Sequence, residues 1–279
     1  MRRSERPVVL TFVRYYLPSF KSGGPVRSVS NLIDHLGRYF SFRVVCRDRD
    51  SFEDRAFRGV RVDDWNAVGG AEVFYASPMN QRIGGVRDLM RNMSYDIVYF
   101  NSFFDYHFTI LPLIALRFRI VRRRPAIVAP RGEFSPAALR LGSRKKRAFL
   151  LLARLIGLYR QVTWQASSEQ EASHIRRVLG SSAKRIVVAP NLPSVDRAPV
   201  AIETPIPAET EPLRVVYLSR VSPKKNLDFA LRVLSTIKVS AVFHVYGLID
   251  DQHYWNRCRT LIERLPSTIS FDYKGVVNH

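Results

Sequence analysis

Residues 215–234, VVYLSRVSPKKNLDFALRVL, decide how this chain is read. An apolar run from Val215 to Leu218 has the character of a buried strand, and an amphipathic helix begins a few residues later. The joint holds Arg220, Lys224 and Lys225 around Pro223. A strand handing over to a helix is the repeating unit of a parallel α/β sheet. Lysine at a helix N-terminus opposes the macrodipole, a small local penalty that a bound anion removes. Two readings stand side by side: a solvated turn, or a phosphate-like anion held at one edge of a sheet. On the second, Arg220 is a bidentate fork and Lys225 a mobile point charge.

Downstream, the pattern predicts strands over 214–219, 241–246 and 268–273 with helices over 225–237 and 252–265. Three strands and two helices make one half of a doubly wound, mononucleotide-binding sheet. The strand at 214–219 is expected to keep one bare edge, an aggregation liability in a unit of only about 65 residues. Upstream lies NLPSVDRAPVAIETPIPAETEP, whose prolines at 193, 199, 205, 207 and 212 read as a linker.

Before the linker, short apolar runs alternate with helix-period segments. Strands are predicted over 8–13, 42–46, 72–76, 96–101, 126–130, 162–166 and 186–189. Helices are predicted over 25–38, 82–92, 106–121, 144–159 and 169–179, the last opening with a capping-box pair, Ser168 and Glu171. The expected fold class is α/β, with two parallel-sheet domains of which the second is incomplete. Its divisions are a first domain over 1–191, a linker over 192–212 and a second domain over 213–279.

With 46% hydrophobic residues the composition is that of a globular protein. No apolar stretch approaches the ~18 residues that span a bilayer, and MRRSERPVVL lacks a signal-peptide core. Cys46 and Cys258 fit neither a metal spacing nor a disulfide framework, so a reducing, cytoplasmic setting is expected. The formal net charge is +20. Residues 1–195 hold 33 Lys and Arg against 15 Asp and Glu, while the remainder is nearly balanced. The densest clusters, RFRIVRRR (117–124) and RLGSRKKR (140–147), adjoin apolar helical stretches. Such pairing suits an anionic membrane surface at the inner face of the plasma membrane at least as well as nucleic acid, with solvated helix faces as the plain alternative. The clusters lack interleaved stacking aromatics, which makes nucleic acid the weaker partner class.

Three further motifs lie at predicted sheet edges. Gly23 and Gly24 precede Pro25 at a helix start, where a backbone free of Cβ lets a ligand approach the N–H groups, unless this is an ordinary turn. In IVAPRGEF, Arg131 and Glu133 follow the strand 126–130. The arginine suits a phosphate or carboxylate, and the glutamate could orient a sugar hydroxyl or act as a base; alternatively the two simply pair. Asn101, His107 and Asn191 lie near the same edge and join Arg131 as acceptor-side or cleft candidates. The DRD triplet at 48–50 resembles a metal-binding D-x-D but sits in a charged loop.

Taken in order, GGPVRSVSNLIDHL, PRGEFSPAAL, ASSEQEASHIRRVLG with IVVAPN, and YLSRVSPKKNLDFAL resemble glycosyltransferase family 4, the group 1 retaining transferases of the GT-B fold. The resemblance implies two Rossmann-like domains, the first on the acceptor side and the second holding the donor. It implies transfer of a sugar, with retained configuration, from a nucleotide-diphosphate sugar to a glycan or lipid-linked acceptor in cell-envelope or exopolysaccharide synthesis. No metal or other cofactor is implied. Arg220 and Lys225 match the family's diphosphate pair, and Gly23–Gly24 its N-terminal glycines. The expected catalytic set is therefore Arg220, Lys225 and Glu133. Departures are Arg131 where many members carry histidine, Leu192 where glycine is usual, and an E-x7-E segment expected beyond residue 279. The alternatives are a truncated, inactive relative serving as a membrane- or partner-binding module, and a basic nucleic-acid-binding protein.

Overall fold

The computed structural model describes residues 6–19, 24–51, 53–140, 143–195 and 211–277. Two units divide the chain, Met1–Pro199 and Val200–His279.

In the first unit the order is β1 (Val8–Phe12), α1 (Gly24–Leu36), β2 (Ser41–Arg47), β3 (Trp65–Val68), β4 (Ala71–Ala76), α2 (Ile83–Arg91) and β5 (Ile97–Phe100). A π-helical turn (Tyr106–Ile110) leads into α3 (Leu111–Arg117), followed by β6 (Ala126–Val128), α4 (Pro136–Arg140) and α5 (Ser143–Leu155). Then come β7 (Val162–Ala166), α6 (Glu169–Leu179) and β8 (Arg185–Val188). One sheet takes all eight strands in the order β3-β4-β2-β1-β5-β6-β7-β8, parallel except for the β3–β4 pair. Both faces are covered, as a parallel sheet requires. Leu10 and Phe12 of β1 enter one core with Val98, Phe100 and Trp164, while Val9 faces the other with Val29, Ile33 and Val44. Phe103 centres the first core, stacked on Tyr159 at 4.5 Å and edge-on to Phe134 at 4.6 Å.

Two expectations change here. The strand near 72 is half of a hairpin, with β3 pairing through Val68 and Ala71 across Gly69–Gly70. Gly69 takes φ +57°, the left-handed value that such a two-residue turn needs. The single helix expected over 106–121 is broken because Pro112 has no N–H to give its preceding turn. Upstream of it the bonding widens, with the Leu111 amide donating to the Tyr106 carbonyl, and Arg119 at φ +58° ends the segment early.

The second unit runs β9 (Leu213–Leu218), a tight 3-10 turn (Pro223–Lys225), α7 (Leu227–Leu234), β10 (Ala241–Tyr246), α8 (Gln252–Ile262) and β11 (Ile269–Gly275). Its sheet is parallel in the order β11-β10-β9, so β9 is an edge strand. Val215 and Tyr217 pack on the core of Leu227, Leu231, Phe243 and Tyr254, whereas Val216 and Leu218 remain more than half exposed. The helix expected from residue 225 begins at Leu227 instead. Asn226, at φ +56° and ψ +37°, is left-handed and separates the 3-10 turn from α7. Lys225 thus precedes the helix rather than opening it.

Candidate functional site

In the second unit the loop after β9 and the loop after β10 extend the sheet's pairing past its strands. The Ser219 amide donates to Tyr246 O (3.0 Å), Val221 to Leu248 O (2.8 Å) and Asp250 to Val221 O (3.1 Å). Gly247 makes this approach possible. At φ +138°, a β-carbon built on it would lie 2.0 Å from the Ser219 carbonyl oxygen. The result places Asp250 beside Arg220, whose Nη1 donates to its carboxylate at 3.1 Å. The Tyr217 hydroxyl reaches the carbonyls at both ends of the cationic turn, Arg220 (3.2 Å) and Lys225 (3.4 Å), and so gathers it into a compact arc. Lys225 is exposed. Asp250, absent from the sequence-based set, is the group that fixes the Arg220 guanidinium.

In the first unit, Arg131 follows β6 at φ +53° with Gly132 at φ +76°. That left-handed pair turns the guanidinium along the carboxyl edge of the sheet, where ligands sit in open parallel sheets. It donates to Asn101 Oδ1 from Nη2 (2.7 Å) and Nε (3.3 Å), to the Tyr99 hydroxyl (2.9 Å), and to Asn191 Oδ1. Tyr99 donates onward to Gln165 Oε1 (2.6 Å), whose amide donates to Ala189 O (3.1 Å). Burial pushes the Tyr99 phenol up, with Arg131 only partly offsetting it. Arg131, Asn101 and Asn191, far apart in sequence, are therefore brought together. All of the guanidinium's partners here are neutral, and it enters no ion pair among the described residues, so its charge remains to attract an anion. Beyond Asn191 the chain is fastened to α1: Asn31 Nδ2 donates to Leu192 O (2.8 Å) and His35 Nε2 to Pro193 O (3.0 Å).

His107 stands outside this network; its Nδ1 donates to Gln81 O at 3.0 Å. Gly24 opens α1, with no atom within 4 Å of where a β-carbon would sit, while Gly23 lies outside the described residues. Arg14, just past β1, was not singled out from the sequence; it bonds the buried Asp105 at 2.6 Å, which in turn caps the π-helical turn through Phe108 N. In the DRD triplet Asp48 pairs with Arg49 and Asp50 accepts from Ser19 Oγ. No group of three metal-ligating side chains converges among the described residues.

Glu133 and Arg131 do not pair. The turn at Arg131–Gly132 sends the Glu133 carboxylate inward, where Oε1 accepts from Ser102 Oγ (2.8 Å) and Oε2 from the amides of Phe103 (2.6 Å) and Phe104 (3.1 Å). Both oxygens thus accept from the loop after β5, which the carboxylate organises, and no pair with Arg131 forms. Glu171 acts similarly. Its amide is capped by Ser168 Oγ, but its carboxylate holds Ser167 and the Gly132 amide instead of completing the capping box.

Burial pushes the Glu133 carboxyl above the usual range, against the opposing effect of its donors. The folded chain thus keeps a proton that the unfolded chain has released. This contribution is full below the ordinary glutamate pKa and is lost as pH rises through the raised one. Glu133→Gln is expected to flatten that part of the stability–pH curve. Glu133→Ala, which strands three donors, is expected to lose about 2–4 kcal/mol. Urea unfolding at a series of pH values measures both; an unchanged slope in the Gln variant contradicts the assignment.

Two parallel-sheet units, each carrying cations beyond the carboxyl ends of its strands, have the build of GT-B glycosyltransferases. The chain belongs to the glycosyl transferase 4-like domain family, whose model matches residues 23–192. Similar folds are found in Anabaena HepE in complex with UDP-glucose (TM-score 0.62, 16% identity, covering 97% of this chain and 69% of that one). Sucrose-phosphate synthase from Thermosynechococcus elongatus also has TM-score 0.62, at 13% identity over 99% of this chain and 71% of that one. The lipopolysaccharide outer core galactosyltransferase WaaB gives 0.54, at 15% identity over 98% and 68%. No curated protein matches the chain in sequence. The family read from the motifs is the chain's family, and the expected α/β architecture of two parallel sheets is the one observed.

Proposed function

We propose that the chain transfers a sugar from a nucleotide-diphosphate donor to a glycan or lipid-linked acceptor, with retention of configuration, in cell-envelope or exopolysaccharide synthesis. The observation that carries this reading, given the family, is the cationic arc after β9. Tyr217 brackets it, Asp250 aims Arg220, and Lys225 is left exposed. Breaking the donor's glycosidic bond builds negative charge on the departing diphosphate. Cations fixed at that place favour the transition state over the ground state.

Arg220 and Lys225 are assigned to the diphosphate. Gly24 at the N-terminus of α1 is assigned to donor phosphates, and Arg131 with Asn101 and Asn191 to an anionic or hydroxyl-rich group on the acceptor side. This electrostatic scheme needs no metal. UDP-glucose bound to a protein of similar fold supports a nucleotide-sugar donor. No helix among the described residues is long and apolar enough to cross a membrane. The basic first unit supports a peripheral position at the cytoplasmic face of the plasma membrane.

Isothermal titration of the full chain with UDP-, GDP- and ADP-sugars tests the donor reading. Heat is expected with one nucleotide class. Silence with all of them, in a chain shown to be folded by circular dichroism, sinks it.

A further inference from the structure

The outer face of α5 is apolar where a surface helix is ordinarily polar. Leu151 is 68% exposed, Leu152 56% and Leu155 84%. Leu151 and Leu155 lie one turn apart, and Leu152 is beside them on the same side. Ala153, on the opposite side, is buried in the core. Exposed cations flank the leucines along the helix, Arg147 and Arg154 on one side and Lys145 on the other.

Two cavities meet at the C-terminal end of this helix. One, of about 570 Å³, is lined by Leu151 and Leu155 together with the ends of α3 and α6. The other, of about 940 Å³, opens at the amino ends of β6, β7 and β8, and Arg123, Arg124 and Arg185 line it. Arg117, Arg160 and Lys184 belong to both walls, and neither cavity is lined by an Asp or Glu. Among the described residues none of these six cations enters an ion pair. So many like charges around one hollow repel one another until an anion enters. The hollow lies at the edge of the sheet opposite the Arg131 network, because β6 to β8 are parallel and Arg131 follows the carboxyl end of β6.

We propose that this face docks on an anionic phospholipid bilayer, the leucines of α5 entering the acyl boundary and the arginine-lined cavity taking a phosphate headgroup. A helix with an apolar outer stripe and basic flanks lies in the plane of such an interface. Each basic residue close to an anionic leaflet adds to the attraction. Nucleic acid would match the charge but leave three leucines exposed, and the outer stripe of α5 has no aromatic on which a base could stack. The inference deepens the peripheral-membrane part of the proposed function and rests on that part; it does not depend on the donor site.

Co-sedimentation with vesicles tests it. The full chain is expected to bind phosphatidylglycerol–phosphatidylcholine vesicles at least tenfold more tightly than pure phosphatidylcholine. The double variant Leu151→Ser/Leu155→Ser, and separately Arg123→Gln/Arg124→Gln, are each expected to lower that binding at least tenfold. The arginine pair should also reduce its salt dependence. Both variants should keep the wild-type thermal midpoint and the wild-type heat with nucleotide sugars, so failure here is separable from failure of the donor reading. Equal binding to both vesicle types overturns the proposal, as does binding that the leucine variant leaves unchanged. Full displacement from vesicles by inorganic phosphate would assign a free-phosphate site instead. Tighter binding to random duplex DNA, insensitive to the leucines, would assign nucleic acid.

Discussion

Gly247→Ala is expected to speed amide exchange in β9 and β10 at least a hundredfold, equivalent to about 3 kcal/mol of lost local stability. Two effects act together. A β-carbon would lie 2.0 Å from Ser219 O and 2.5 Å from Ser219 C, atoms of backbone that no rotamer change can move. In addition, φ +138° is a conformation that only glycine adopts without strain. Relief requires the loops after β9 and β10 to part, which breaks the Ser219–Tyr246 and Val221–Leu248 hydrogen bonds and releases Asp250 from Arg220. Hydrogen exchange read peptide by peptide keeps the two units apart, and peptides of the first unit should not change. Gly84→Ala in α2 is the control of opposite sign. Nothing lies within 4 Å of its built β-carbon and its φ is ordinary, so it should stabilise by about 0.5–1 kcal/mol. Wild-type exchange around Val245 in the Gly247 variant would show that the loops are not held as described.

Strands buried on both faces were legible because they read as largely apolar runs, VVLTF and IVYF among them. Helix breaks were less so. Pro112 stood in plain view, yet periodicity on both sides of it suggested one continuous helix. Asn226 gave no warning of its left-handed backbone. At the sites, residue type carried information that partnership did not. Arg131 was recognisable as a cation at a strand end, but its neutral partners come from two other segments, Tyr99 and Asn101 at the end of β5 and Asn191 after β8, which only the sheet order assembles. As a partner for Arg131, Glu133 misled for the same reason. Two residues from Arg131 it looked like a neighbour, and a pair of positive-φ residues sent it to the other side of the loop. Asp250 is thirty residues from Arg220, and a glycine's lack of a β-carbon connects them.

Arg220→Ala and Lys225→Ala are each expected to reduce the rate of nucleoside diphosphate release about ten- to a hundredfold, and the double variant about a thousandfold. Each charge-assisted hydrogen bond contributes about 1.5–3 kcal/mol, and 1.36 kcal/mol is a tenfold change in rate. Because charge on the diphosphate grows as the glycosidic bond breaks, kcat should fall more than donor affinity does in the same variants. Arg220→Lys should not rescue. Lysine keeps the charge but cannot hold Asp250 with one nitrogen and present a second, in-plane donor to phosphate. Asp250→Asn should move binding the other way. The wild-type pair, exposed on the Arg220 side and joined at 3.1 Å, contributes at most about 1 kcal/mol to stability. Its carboxylate nevertheless repels an incoming diphosphate, so removing that charge while retaining an acceptor for the guanidinium should tighten donor binding several-fold. Opposite signs at two touching residues are what an anion site produces. A solvated turn would give no change at either, and a purely structural ion pair would give losses at both. Calorimetry with the nucleotide sugar, alongside assay of released nucleoside diphosphate, distinguishes the three.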